Sequence, residues 1–163
     1  MMVVSFTGHR KFDYEASYST LVECVKRLYN GRSEPLIFLS GMADGFDLAA
    51  AEAVLELREE VGGGVELHAI IPYRGHIKSM NEQAQRRYQL VVDCADCVVY
   101  LEDRYSHGVF FRRNDYLVEH ANKMIAYYDR VSKGGTGYTV KRALRKSIEV
   151  ENIHPDPQLD LFR

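Results

Sequence analysis

Ser40-Gly41-Met42-Ala43-Asp44-Gly45-Phe46-Asp47-Leu48-Ala49-Ala50-Ala51-Glu52 follows directly on the apolar run Leu36-Ile37-Phe38-Leu39 and opens an alanine-rich amphipathic segment. That succession predicts a strand, a tight glycine turn and the start of a helix. Glycine lets backbone N–H groups come close to a ligand, and a helix N-terminus favours negative charge. A second such turn, Gly134-Gly135-Thr136-Gly137, stands in the same context near the far end of the chain. Paired turns of this kind in one small chain predict a nucleotide site.

Outward from these turns, short apolar runs alternate with longer helical patterns. The runs predict strands at 2–6, 36–39, 65–71, 97–101 and 123–128. Most are continuous rather than alternating, as in parallel strands covered on both faces. The intervening segments space apolar residues at i, i+3 and i+4, which predicts helices at 16–29, 46–60, 78–93, 111–121 and 136–148. Strand and helix in regular alternation make a doubly wound α/β fold, a three-layer sandwich on a mostly parallel sheet of about five strands. Residues 1–153 then form one domain and residues 154–163 a tail.

Composition narrows the function. The chain has 163 residues, 46% of them hydrophobic, which suits one globular domain with a real core. Its net charge of -2 gives the chain as a whole no basic signature for nucleic-acid binding. The apolar runs are too short to span a bilayer, and the N-terminus lacks the charged and apolar regions of a signal peptide, so a cytoplasmic protein is expected. Cys24, Cys94 and Cys97 are an odd number of thiols, which speaks against a disulfide framework. Cys94 and Cys97 form a C-x-x-C between a helix end and a strand start, where two partly buried small residues are expected. No second ligand pair completes a zinc site.

In open α/β sheets the ligand lies beyond the carboxyl ends of the strands. The segments there carry Gly8, His9 and Arg10; Gly41, Asp44, Gly45 and Asp47; Tyr73 and His76; Tyr105, Arg113 and Asn114; and Gly134, Gly135 and Thr136. The last turn has no acidic residue from Ser132 to Arg145, and its N–H groups, the Thr136 hydroxyl and Lys133 favour a phosphate. Asp44 and Asp47 would repel phosphate and suit ribose hydroxyls, with capping of the helix as the other role; Asp44 is a good N-cap residue. Glu52 lies deeper on that helix, facing either the site or solvent. Arg113 is placed to clamp a phosphate and Asn114 to read a base edge or a ribose. Tyr73, Tyr105 and Phe110 offer a stacking face for a base.

Together, Thr7-Gly8-His9-Arg10, the 41–52 stretch, Arg113-Asn114 and Gly134-Gly135-Thr136 resemble the YpsA-like branch of the SLOG superfamily, which also holds the DprA/Smf and LOG proteins. The resemblance runs from Thr7 to about Ala143. It implies a Rossmann-like fold and a pocket for a nucleotide-type ligand such as ADP-ribose or NAD, and relatives in the superfamily often pair as homodimers. LOG enzymes carry G-G-x-G-T-x-x-E, whose glutamate serves cleavage of an N-glycosidic bond. Here Tyr138 stands for the threonine and Lys141 for the glutamate. A lysine does not replace a carboxylate in that role, so LOG chemistry does not transfer directly. Any hydrolytic carboxylate would come from Asp44, Asp47 or Glu52.

The tail segment Gln158-Leu159-Asp160-Leu161-Phe162 looks like the bacterial sliding-clamp-binding peptide, with Leu159, Leu161 and Phe162 as apolar anchors after a spacer holding Pro155 and Pro157. The sequence thus leads to a nucleotide-binding sensor or accessory protein. It leaves open a hydrolase of an N-glycosidic or phosphate bond, and a DprA-like protein of DNA metabolism recruited to a sliding clamp.

Overall fold

Strand β1 (Met2–Gly8) occupies the middle of the sheet because Val4 through Thr7 are buried on both faces. The computed structural model describes residues 1–30 and 32–155, so the clamp-like segment 158–162 lies outside the described residues. From β1 the chain runs through α1 (Tyr14–Tyr29), β2 (Leu36–Ser40), α2 (Phe46–Val61), β3 (Val65–Ile71), a 3-10 turn (His76–Ser79) and α3 (Glu82–Cys94). It continues through β4 (Cys97–Tyr100), α4 (Val109–Glu119), β5 (Lys123–Tyr127), α5 (Gly135–Arg145) and β6 (Glu149–Asn152).

The sheet order is β4-β3-β2-β1-β5-β6, and every pairing is parallel. Alternate strand residues face opposite layers. Val4, Phe6, Phe38 and Leu67 pack under α1, α2 and α3, whereas Ile37, Leu39, Ile70 and Met124 pack under α4 and α5. The three-layer Rossmann-like arrangement predicted from the sequence is therefore present. β2 lies on one side of β1 and β5 on the other, so the direction of winding reverses at β1. That reversal opens a crevice at the carboxyl ends of the strands.

Local differences from the sequence expectation have physical causes. The described residues hold a sixth strand, β6, beyond the five expected, and α5 ends at Arg145 where the helix was expected to run to residue 148. Ser147 has a positive φ of 60°, which ends the helical path and turns the chain into the sheet edge. The expected helix at 78–93 is a short 3-10 turn followed by α3, which restarts at Asn81, whose side chain accepts from Ala84 N at 2.9 Å. Cys94 is exposed rather than partly buried, and the thiols of Cys24, Cys94 and Cys97 are free.

β6 is fastened by side chain as much as by ladder. Asn152 Oδ1 accepts from Tyr128 N (3.1 Å) and His154 N (3.1 Å), and its Nδ2 donates to Tyr128 O (2.8 Å). Truncation in Asn152→Ala leaves those partly buried groups without partners. It should lower stability by about 1–3 kcal/mol in urea denaturation. An unchanged midpoint would show that the strand holds without this clamp.

Candidate functional site

The crevice is a cleft of about 360 Å³. The end of β1 and the residues just after it contribute Thr7, Gly8, His9 and Arg10 to its wall, and the β2–α2 turn and first turn of α2 contribute Ala43 and Asp47. The start of α4 contributes Phe110, Phe111, Arg113 and Asn114, and the approach to α5 contributes Ser132 through Gly137. Each group follows a strand's carboxyl end, so the topology itself assembles the wall.

The two glycine turns therefore converge on one cavity. No side chain caps α5, whose N-cap is Gly134, so its first N–H groups are open toward the cleft. The loop leading into it is held by Asp129. That carboxylate accepts from Val131 N (3.0 Å), Ser132 N (2.8 Å) and the Ser132 hydroxyl, and these donors hold it well below the usual carboxylate range. Asp129 N in turn donates to His9 Nε2 at 3.0 Å. The same ring nitrogen lies 3.3 Å from Asp129 Oδ1. His9 thus ties the end of β1 to the loop before α5.

Asp47 is the one carboxylate among the described lining residues, and it is 5% exposed. Its Oδ2 accepts from Ala43 N at 3.3 Å, and its buried Oδ1 has no hydrogen-bond partner among the described residues. Burial pushes its carboxyl up to about 6, against the pull of Arg113, the Ala43 amide and Arg10. Ser40 Oγ braces the turn by donating to Asp47 O (2.9 Å) and accepting from Met42 N (3.2 Å).

Arg113 is part of the cleft wall but only 7% exposed. Its Nη1 donates to Gly41 O at 2.6 Å and its Nε to Asn114 Oδ1 at 2.8 Å. Nε and Nη1 are thus engaged by the protein, and each fork of the guanidinium has one of its two donors in use. Phe110 lies under both cationic groups, with Arg113 Cζ 5.7 Å and Arg10 Cζ 6.0 Å from its ring centroid.

The other expected site residues are placed elsewhere. Gly41 lies against the Arg113 side chain, and Gly45 against the backbone of Arg10. Asp44 does not cap α2; its Oδ1 accepts from Gly45 N at 2.8 Å, and Gly45 is the N-cap. Glu52 faces away from the cleft. Arg87 forks onto it with contacts of 2.6 and 3.1 Å, and Tyr14 Oη donates to it at 3.3 Å, so it joins α1, α2 and α3. Tyr73 and Tyr105 stand behind Phe110, at centroid distances of 6.2 and 6.3 Å from it. Phe110 is the ring of that cluster which lines the cleft. Phe111 and Ser132 also line it without having been singled out in the sequence; their only signal is position beside Gly108 and Gly134. Among the described residues no group of His, Cys, Asp and Glu is arranged to hold a metal ion, and no helix is long and apolar enough to cross a membrane.

The model of the YspA SLOG family matches residues 5–156. The chain belongs to that family. Both SLOG glycine turns and the whole cleft wall fall inside the matched span. The chain is similar to a UPF0398 protein of Bacillus thuringiensis (strain Al Hakam), 26% identical over 94% of this chain and 88% of that one. A UPF0398 protein of Bacillus cereus (strain Q1) matches with the same identity and coverage. Among solved structures, DNA processing protein A from Helicobacter pylori, described for its single-stranded DNA binding mode, superposes with a TM-score of 0.66 at 16% identity. The match covers 99% of this chain and 71% of that one. The likeness is one of fold, shared between this SLOG chain and a DNA-processing protein.

Proposed function

We propose that this protein binds a nucleotide-type small molecule of the ADP-ribose, NAD or nucleoside phosphate class in the cleft, as a sensor or accessory protein. The reading rests on one juxtaposition. The uncapped start of α5, free of acidic residues, and Asp47, whose buried Oδ1 has no partner among the described residues, line the same cavity. The first suits a phosphate and the second suits a donor such as a ribose hydroxyl. Phe110 and Phe111 supply apolar surface for a base.

Calorimetry and thermal melting with ADP-ribose, NAD and AMP test this. A ligand present at about 100 times its Kd adds about 2.7 kcal/mol of stability, which is readily seen as a raised Tm. No shift and no heat with any of the three would end the proposal.

A hydrolase is the second reading. It is favoured by Asp47, whose carboxyl is pushed up to about 6 by burial and so lies near the range of a general acid. Chromatography of the same incubations separates the readings. Appearance of free base or ribose phosphate, lost in Asp47→Ala, means turnover; an unaltered ligand means a binder.

A further inference from the structure

We propose that Asn114 is the side-chain donor of an anion seat on the first turn of α5, and that Arg113 is a positioning residue acting through it. This rests on the nucleotide reading above and assigns the phosphate end of that ligand.

The orientation of the Asn114 amide is set by chemistry. An arginine side chain has donors only. Arg113 Nε points at Asn114 from 2.8 Å, so the amide must turn its oxygen to the guanidinium and its nitrogen away. The direction away is toward α5. A Cβ built on Gly135 would come within 3.2 Å of Asn114 Nδ2, so the amide nitrogen stands beside the first residue of that helix. Asn114 is 5% exposed and lines the cleft, and its Nδ2 has no hydrogen-bond partner among the described residues. An amide nitrogen on the cleft wall that no protein group accepts from is free to donate to a ligand there. The N–H groups of α5 demand the same kind of partner from the same side, an acceptor that carries negative charge.

The gap between the two helices is fixed. Tyr138 Oη donates to Asp115 Oδ1 at 2.9 Å, and Arg142 Nε lies 3.2 Å from the same oxygen. Arg113 is itself locked by Gly41 O at 2.6 Å, so the β2–α2 turn holds the guanidinium and the guanidinium holds the amide. The ligand group that fits is a phosphoryl oxygen, from a nucleotide or from free phosphate.

Nitrogen-15 NMR with inorganic pyrophosphate and with ADP-ribose tests the seat. Pyrophosphate should shift the Asn114 side-chain resonances together with the amides of Gly135, Thr136 and Gly137. Loss of one hydrogen bond to a charged group in Asn114→Ala should weaken pyrophosphate roughly 10- to 100-fold. Asn114→Asp should weaken it further, because the carboxylate repels the anion while pairing with Arg113 and leaving the fold intact. Adenosine, which lacks phosphate, should bind the Asp variant as it binds the parent. Arg113→Lys keeps a positive charge but loses the fork, and should weaken pyrophosphate as much as Asn114→Ala does.

Normal pyrophosphate binding by Asn114→Asp would overturn the seat, and normal binding by Arg113→Lys would overturn the positioning role. Pyrophosphate binding without ADP-ribose binding sinks the nucleotide reading and keeps the seat. ADP-ribose binding that ignores both substitutions does the reverse.

Discussion

Gly45→Ala is expected to lower stability by about 3–5 kcal/mol, enough to unfold much of a protein of ordinary stability. Gly45 has φ 88° and ψ -123°, a region closed to side-chain-bearing residues. Space is denied as well. A Cβ there would lie 2.1 Å from Arg10 O, 2.5 Å from Arg10 C and 2.7 Å from Arg10 Cα. These are backbone atoms, so no rotamer change relieves the overlap. The β1–α1 and β2–α2 loops are also tied by Phe46 N donating to His9 O at 3.2 Å. The strain can be released only by parting those loops, which would open the wall that carries His9, Arg10 and Asp47. Gly63→Ala is the control, since a Cβ there meets nothing within 4 Å and its φ is not positive. Urea denaturation of both variants checks the claim. Equal midpoints for the two would refute the close approach at Gly45.

The buried strands announce themselves, because a strand covered on both faces must be apolar throughout, and Leu36-Ile37-Phe38-Leu39 is. β6 is the opposite case. Glu149-Val150-Glu151-Asn152 is an edge strand, largely polar, and is held by pairing to β5 and by the Asn152 amide. Neither contact leaves a mark in hydropathy. The start of α3 did have a signal, the capping residue Asn81, but the apolar spacing carries on through it.

For the site, position relative to the strands was legible and side-chain direction was not. The glycine turns meet because the topology gathers the carboxyl ends of β1, β2 and β5. Which carboxylate enters the cleft depends on helical phase. Five residues separate Asp47 from Glu52, a rotation of about 140° around the helix axis. Asp47 therefore points inward at the cleft and Glu52 points out at Arg87. Asp44 precedes the helix and folds back on Gly45 N, which no periodicity describes. Arg113 looked like a ligand clamp from its sequence neighbours. In the fold it is buried and donates to Gly41 O, a contact spanning distant parts of the chain, and to Asn114 Oδ1, and neither bond shows in the local sequence.

Asp47→Asn should make the protein more stable at neutral pH and poorer at holding its ligand. Burial raises the Asp47 carboxyl from its ordinary 3.8 to about 6 in the folded protein. Between about pH 4 and pH 6 the unfolded chain has already released this proton while the folded chain keeps it. The folded state binds more protons there, so stability falls as pH rises through that window. Above pH 6 the full penalty is present, about 3 kcal/mol for the shift in question. Asparagine copies the shape of the protonated acid and carries no charge. It retains an oxygen for Ala43 N while placing an N–H₂ group where the unpaired Oδ1 stands. The variant should therefore exceed the parent by about 3 kcal/mol at pH 8, with the gap closing below pH 4. In the same position a hydroxyl donor of the ligand meets another donor, so affinity should fall as stability rises. A functional carboxylate kept at the expense of stability gives this opposed pair of effects. Denaturation curves from pH 3 to pH 8, with ADP-ribose titrations at pH 8, measure both. Parallel pH profiles for the two proteins would mean that the Asp47 charge is well solvated, and Asp47 would then lose its place as the cleft's buried acceptor.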